Sequence, residues 1–234
     1  MEKTMKKTLW ITIAVALAAS VIAASAQEVL SANAVGYIKK TLPAGGDLIA
    51  LSAPLNSMTA TQILFGATSI ADEAPTGSWV YFWDSVLQTW AGSQKSSKGW
   101  ASGAANRSIE SGEAFFMKGD IAAVSDVEVT ITGEVPEDAQ LSRAVVGNNA
   151  LGTIGNPYPV DFIFGESTIA SNAATGSWVY FWDSALQTWA GSQKSSKGWA
   201  AGAYTRPVLA AEGFFLKDAG TPSTWDETKP YTWP

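Results

Sequence analysis

The chain has 234 residues, 47% hydrophobic and only 15% charged, with 21 glycines and a formal net charge of −6, the composition of a folded chain rich in turns rather than of a disordered one. The acidic balance repels phosphate backbones and argues against nucleic acid as a partner. There is no His and no Cys, which excludes a Ser-His-Asp triad, a Cys nucleophile, His/Cys-ligated zinc or haem and any disulfide, and leaves carboxylate, Lys or Ser–Lys chemistry and oxygen-ligated cations.

Lys3, Lys6 and Lys7 precede an apolar run over 9–24, and Ala24-Ser25-Ala26 places small residues before Gln27. This pattern predicts a signal peptide over 1–26, cleaved after Ala26, and an exported mature chain without a transmembrane segment, bound for the periplasm, the cell surface or the medium. An alternating leader follows at Val35, Tyr37 and Lys39. A short helical turn is expected over 59–65, with Thr59 as N-cap and Gly66 closing it.

Trp79, Tyr81 and Trp83 alternate with Val80 and Phe82, the period of a strand whose two faces are both covered. Asp84-Ser85 opens a turn, Gln88-Thr89-Trp90 returns as the second arm of a hairpin, and 92–99 reads as a polar loop carrying Lys95 and Lys98. Ala114-Phe115-Phe116-Met117 reads as a short buried strand after Gly112. A second alternating segment, Val127-Glu128-Val129-Thr130-Ile131, is taken as the leader of what comes next.

What comes next is the same module again. At an offset of 99, residues 76–101 match 175–200 at every position except Val86 against Ala185, a tandem duplication. The match continues through Arg107/Arg206, Glu113/Glu212, Phe115-Phe116/Phe214-Phe215 and Lys118/Lys217; upstream, a four-residue shift pairs Leu48 with Leu151 and Pro54 with Pro157. In the second copy the helical turn is expected between Pro159 and Gly165. The reading is an all-β protein of two tandem β-sandwich-like modules, 27–121 and 122–234, each with one short helical turn, standing either as two domains or as two halves of one pseudo-symmetric core.

The second copy runs Gly155-Asn156-Pro157-Tyr158, then Tyr180-Phe181-Trp182-Asp183, then Gly198-Trp199, then Gly213-Phe214-Phe215. This order resembles a β-rich module that recurs in large secreted and cell-surface proteins of Gram-negative bacteria. The first copy departs from it at Ser52-Ala53-Pro54-Leu55. The resemblance implies an extracellular accessory role and carries over no catalytic residue.

Eleven Trp in an exported all-β chain suggest carbohydrate, because sugar rings stack their C–H faces on flat aromatics while polar neighbours take the hydroxyls. Trp79 and Trp83 read as core. The ligand-binding candidates are Trp90 and Trp100 with Lys95 and Lys98 of the loop between them, and their copies Trp189, Trp199, Lys194 and Lys197. Two carboxylates per copy, Asp84 with Glu113 and Asp183 with Glu212, are the only pairs on which glycoside hydrolysis could be built, but an Asp after a strand ordinarily caps a turn. No metal site, cofactor or catalytic residue is expected.

The sequence thus predicts a non-catalytic, exported structural or adhesive protein, with polysaccharide or cell-envelope components as partners and self-association as a further property. A bivalent carbohydrate-binding protein is the alternative, and a carboxylate-dependent glycoside hydrolase a distant third.

Overall fold

The computed structural model describes residues 35–55 and 63–232. The expected signal peptide and the Thr59 end of the expected helical turn lie outside the described residues, as do Trp10 and Trp233.

The first copy comprises β1 (Val35–Leu42), β2 (Leu48–Ser52), β3 (Ile63–Leu64), α1 (Ser69–Glu73), β4 (Trp79–Asp84), β5 (Thr89–Gln94), α2 (Ser102–Ala105), β6 (Ser108–Ile109), β7 (Ala114–Lys118) and β8 (Val127–Glu134). The second repeats it as β9 (Gln140–Val145), β10 (Leu151–Gly155), β11 (Phe162–Ile163), α3 (Thr168–Asn172), β12 (Trp178–Asp183), β13 (Thr188–Gln193), α4 (Ala201–Tyr204), β14 (Pro207–Val208), β15 (Gly213–Lys217) and β16 (Ser223–Thr228). All pairings are antiparallel, and each copy has one four-stranded sheet, β2-β7-β4-β5 and β10-β15-β12-β13. The all-β class holds, with only short helices, but each copy carries two α-helical turns where one was expected.

The turn lies downstream of where the sequence placed it. Residues 63–64 and 162–163 pair as strands, a 3-10 turn follows at Phe65–Ala67 and Phe164–Glu166, and the α-helical turn begins after Thr68 and Ser167, whose hydroxyls accept from the Ala71 and Ala170 amides. Phe65 and Phe164, fully buried, are needed in the cores and so cannot sit on a free helix face.

The leaders also need correction. Val127–Glu134 does not open the second copy: it pairs along its whole length with Val35–Leu42, and its Val129 and Ile131 enter the first core with Leu42. The ribbon over the second core is β9 with β16, which contribute Val145 and Trp225. On strand pairing the chain therefore crosses from one copy to the other at 135–139, downstream of 121/122. Each copy is closed by strands from its own two ends, and alternation alone does not say which neighbour a ribbon strand will cover.

Each sheet buries one face in its own core: Val80 and Phe82 pack with Phe65, Ile70, Phe115 and Met117, and Val179 and Phe181 do the same in the second copy. The opposite faces carry Phe116 and Phe215, which stack on each other at 5.7 Å with planes 16° apart. Around them the contacts are reciprocal. Trp83 Nε1 donates to the Leu151 carbonyl and Trp182 Nε1 to that of Leu48, both at 2.7 Å. The Ser52 amide donates to the Ala211 carbonyl, and the Gly155 amide to that of Gly112. Such reciprocity defines an isologous interface, here within one chain and about a pseudo-two-fold axis. Residues Ala34–Pro234 form one compact unit with two cores and this aromatic seam between them.

Glycine permits the seam. A Cβ on Gly155 would lie 2.3 Å from Ser52 Cβ, and one on Gly213 2.4 Å from Ala114 Cβ, distances no side chain tolerates.

Candidate functional site

The loop between Trp90 and Trp100 holds structure together. Lys95 Nζ donates to the carbonyls of Ala71, Asp72 and Ala74 at 2.9, 2.6 and 2.7 Å, and Lys194 repeats this on Ala170, Ser171 and Ala173. These are the last carbonyls of α1 and α3, which have no intrahelical donor and attract a cation. Burial holds the Lys194 ammonium below its ordinary range, with Asp218 pulling the other way.

Trp100 and Trp199 belong to the same clamp. Their Nε1 atoms donate to the Ala71 and Ala170 carbonyls at 2.8 and 2.9 Å, and their rings meet Phe65 and Phe164 edge-on at 5.0 and 5.1 Å. They pack against the cores, not on a platform. Lys98 and Lys197 are exposed in the loops. Of the eight candidates, Lys95, Lys194, Trp100 and Trp199 are thus corrected to structural roles.

Trp90 and Trp189 are brought together. They lie on the edge strands β5 and β13, opposite Trp83 and Trp182 in register, and residues directly opposite share a face. That face is the seam: Trp90 meets Phe116 at 5.2 Å and Phe215 at 5.6 Å, and Trp189 meets the same two rings at 5.6 and 5.2 Å. Even so, Trp90 is 41% and Trp189 37% exposed. Both line one open cleft of about 490 Å³, with Tyr81, Trp182, Phe116, Leu48, Gln187, Lys118 and Gly46. The candidates expected in two separate sites therefore share one, at the first copy's end of the seam.

The cleft is rigidly framed. Gln187 clamps Leu48 from across the seam, its Oε1 accepting from the Leu48 amide at 2.8 Å and its Nε2 donating to the Leu48 carbonyl at 3.1 Å; Gln88 does the same to Leu151. Both glutamines sit at φ near +50°, which turns the hairpin so that the amide reaches the other copy. Tyr81 lies over Gly92, where a Cβ would be 3.0 Å from its ring, and stacks on Trp79 at 5.9 Å. Burial raises the Tyr81 phenol above its ordinary range. The chemistry on offer is flat, half-exposed aromatic surface with one ammonium, suited to binding.

Two further cavities lie along the seam, of about 420 and 360 Å³. The first gathers Asp84, Arg107, Glu113 and Arg143; the second, Asp183, Arg206, Glu212 and Lys40. The paired carboxylates do converge, but each is already engaged. Asp84 Oδ1 accepts from the Val86 and Leu87 amides, and Asp183 repeats this. Glu113 holds Arg107 at 2.7 Å and the Glu110 amide at 3.0 Å, and Glu212 holds Arg206 at 2.9 Å. Burial lowers the pKa of Lys40 and of Arg143, against the pull of Glu212 on the one and Glu113 on the other. Among the described residues no cluster suits a metal ion, and no helix is long and apolar enough to cross a membrane.

Sequence reasoning passed over Tyr81, Phe116, Lys118, Trp182 and Gln187. The available signal was that β4 and β7 carry large apolar side chains on both faces, so the face not used by the module's own core needs a partner, and a duplicated module supplies one. No family model, curated protein or solved structure matches the chain.

Proposed function

We propose that this chain is an exported, non-catalytic glycan-binding protein that holds a saccharide in the aromatic cleft at the seam between its two copies. The observation that carries the reading is the pairing of Trp90 and Trp189, one from each copy, both more than a third exposed and lining the same cleft. Exposed indole on a rigid frame is the surface on which a sugar's C–H face stacks. Duplication then has a physical use other than two independent sites: one site is made from both copies, and a single ligand chain rests on an indole from each. The resemblance to modules of bacterial surface proteins and the predicted signal peptide support export.

Isothermal titration of the purified chain against a panel of oligosaccharides tests this. Saturable binding at one ligand per chain, lost in Trp90→Ala/Trp189→Ala while a cooperative urea transition persists, is expected. Binding at two per chain, or binding unaffected by the double variant, refutes it.

A structural or adhesive role is the second reading, favoured by the edge strands. The two identical Thr-Trp-Ala-Gly-Ser-Gln edges, β5 and β13, are almost wholly exposed and carry no charge or proline to discourage pairing with another chain. Light scattering that returns monomer at high concentration refutes assembly through them.

A further inference from the structure

We infer that the saccharide is acidic, carrying a carboxylate or sulfate that sits on Lys118; this rests on the cleft being a glycan site. Among the described residues Lys118 is the only charged one lining the cleft, in a chain whose net charge is −6. It ends β7 in register with Leu48 on one side and Trp79 on the other, so its stem runs between apolar neighbours.

Several other half-buried cations are answered by the protein, although Lys40 and Lys217 are, like Lys118, without a hydrogen bond or ion pair among the described residues. Lys95 and Lys194 hold helix carbonyls, and Arg107 and Arg206 hold Glu113 and Glu212. Lys118, also half-buried, has no hydrogen bond or ion pair among the described residues. An ammonium with no partner of its own in the wall of the cleft can offer an anion a charge-assisted hydrogen bond. The described residues of the lining include no carboxylate to compete for it.

The position is also shaped. A Cβ on Gly46 would stand 2.9 Å from Lys118 Cε, so the glycine lets the end of the lysine stem lie against its backbone. Lys217 occupies the equivalent register position opposite Trp178 in the second copy. There the residue matching Gly46 at the upstream offset is Asn149, and both adopt positive φ. The cleft lies at the first copy's end of the seam, and there a sugar ring on Trp90 and Trp189 can place a substituent against the ammonium.

The test uses matched pairs that differ only in charge: oligogalacturonate with its methyl ester, and a sulfated galactan oligosaccharide with its desulfated form. Each is titrated into the purified chain and into Lys118→Gln, Lys118→Arg and Trp90→Ala/Trp189→Ala. At low salt the acidic member of at least one pair is expected to bind about tenfold tighter than its neutral partner. That preference should vanish in Lys118→Gln, persist in Lys118→Arg, and shrink as salt is raised. Equal binding of acidic and neutral members, unchanged in Lys118→Gln but abolished by Trp90→Ala/Trp189→Ala, overturns the acidic assignment and leaves the cleft standing. No binding by any probe, or binding that survives loss of both tryptophans, overturns both.

Discussion

The Phe116–Phe215 stack is where the two copies become one structure, and a double-mutant cycle there measures how strongly. Both rings are buried, at 0% and 3% exposure, and each also meets Trp90 and Trp189. Replacing either by Ala removes a whole buried ring and costs about 3–5 kcal/mol. Two such losses together approach the roughly 5–15 kcal/mol that holds a domain folded, so Leu is the better replacement. Each Phe→Leu change keeps most of the volume and should cost about 1–2 kcal/mol. The offset rings, 5.7 Å apart, should add a coupling of about 0.5–1.5 kcal/mol beyond burial. The double variant should therefore be more stable than the summed single losses by that amount. Urea unfolding followed by far-UV circular dichroism and by Trp emission provides the four free energies, and both probes should trace one transition because the seam joins the cores. Strict additivity, or two separated transitions in the unsubstituted chain, refutes the claim that the seam couples the copies.

Three other outcomes follow from particular contacts. Gln187→Ala removes two hydrogen bonds to Leu48 while keeping a positive φ, and should cost about 2 kcal/mol; Gln187→Gly loses the same bonds but relieves about 1 kcal/mol of backbone strain, so it should be the milder change in a urea titration. Lys95→Met and Lys194→Met each leave two carbonyls at the helix end without a donor, the third keeping its indole N–H, and should lower stability by about 1–3 kcal/mol without altering glycan affinity, as thermal unfolding beside a binding titration will show. Tyr231 donates to the Pro136 carbonyl, and burial, with Tyr158 nearby, pushes its phenol up to about 12. Because that lies above the unfolded value near 10, its contribution to stability is complete below about pH 10 and is lost as pH rises toward 12. Spectrophotometric titration at alkaline pH should show a late tyrosine step that Tyr231→Phe removes.

Much of this architecture was written locally. The alternation of Trp79 to Trp83, the Asp84 turn and the return through Thr89 and Trp90 make a hairpin wherever they are placed, because period-two apolar residues and a capping Asp act within a few residues. The duplication was legible for the same reason, as was the absence of His and Cys chemistry. The candidate site was half legible: Trp90 and Trp189 could be named, but so could Trp100 and Trp199, which have the same chemistry and the same flanking loop. What separates them is whether an indole N–H finds the Ala71 or Ala170 carbonyl beneath a helix, a long-range contact invisible in composition. Lys95 and Lys98 diverge likewise, one reaching a helix end and one reaching solvent.

Only the tertiary structure decided that the copies meet face to face. Phe116 and Phe215 announce an apolar face, and hydrophobic burial has no direction of its own; which surface covers them depends on Gly155 and Gly213 allowing the backbones to approach and on Trp83, Trp182, Gln88 and Gln187 reaching polar groups of the other copy. Sequence alone determined the module and its repetition, because those follow from local periodicity. The single cleft shared by Trp90, Trp189 and Lys118 arises from a pseudo-symmetric packing between residues about a hundred positions apart, and there shape complementarity, rather than any motif, selects the arrangement.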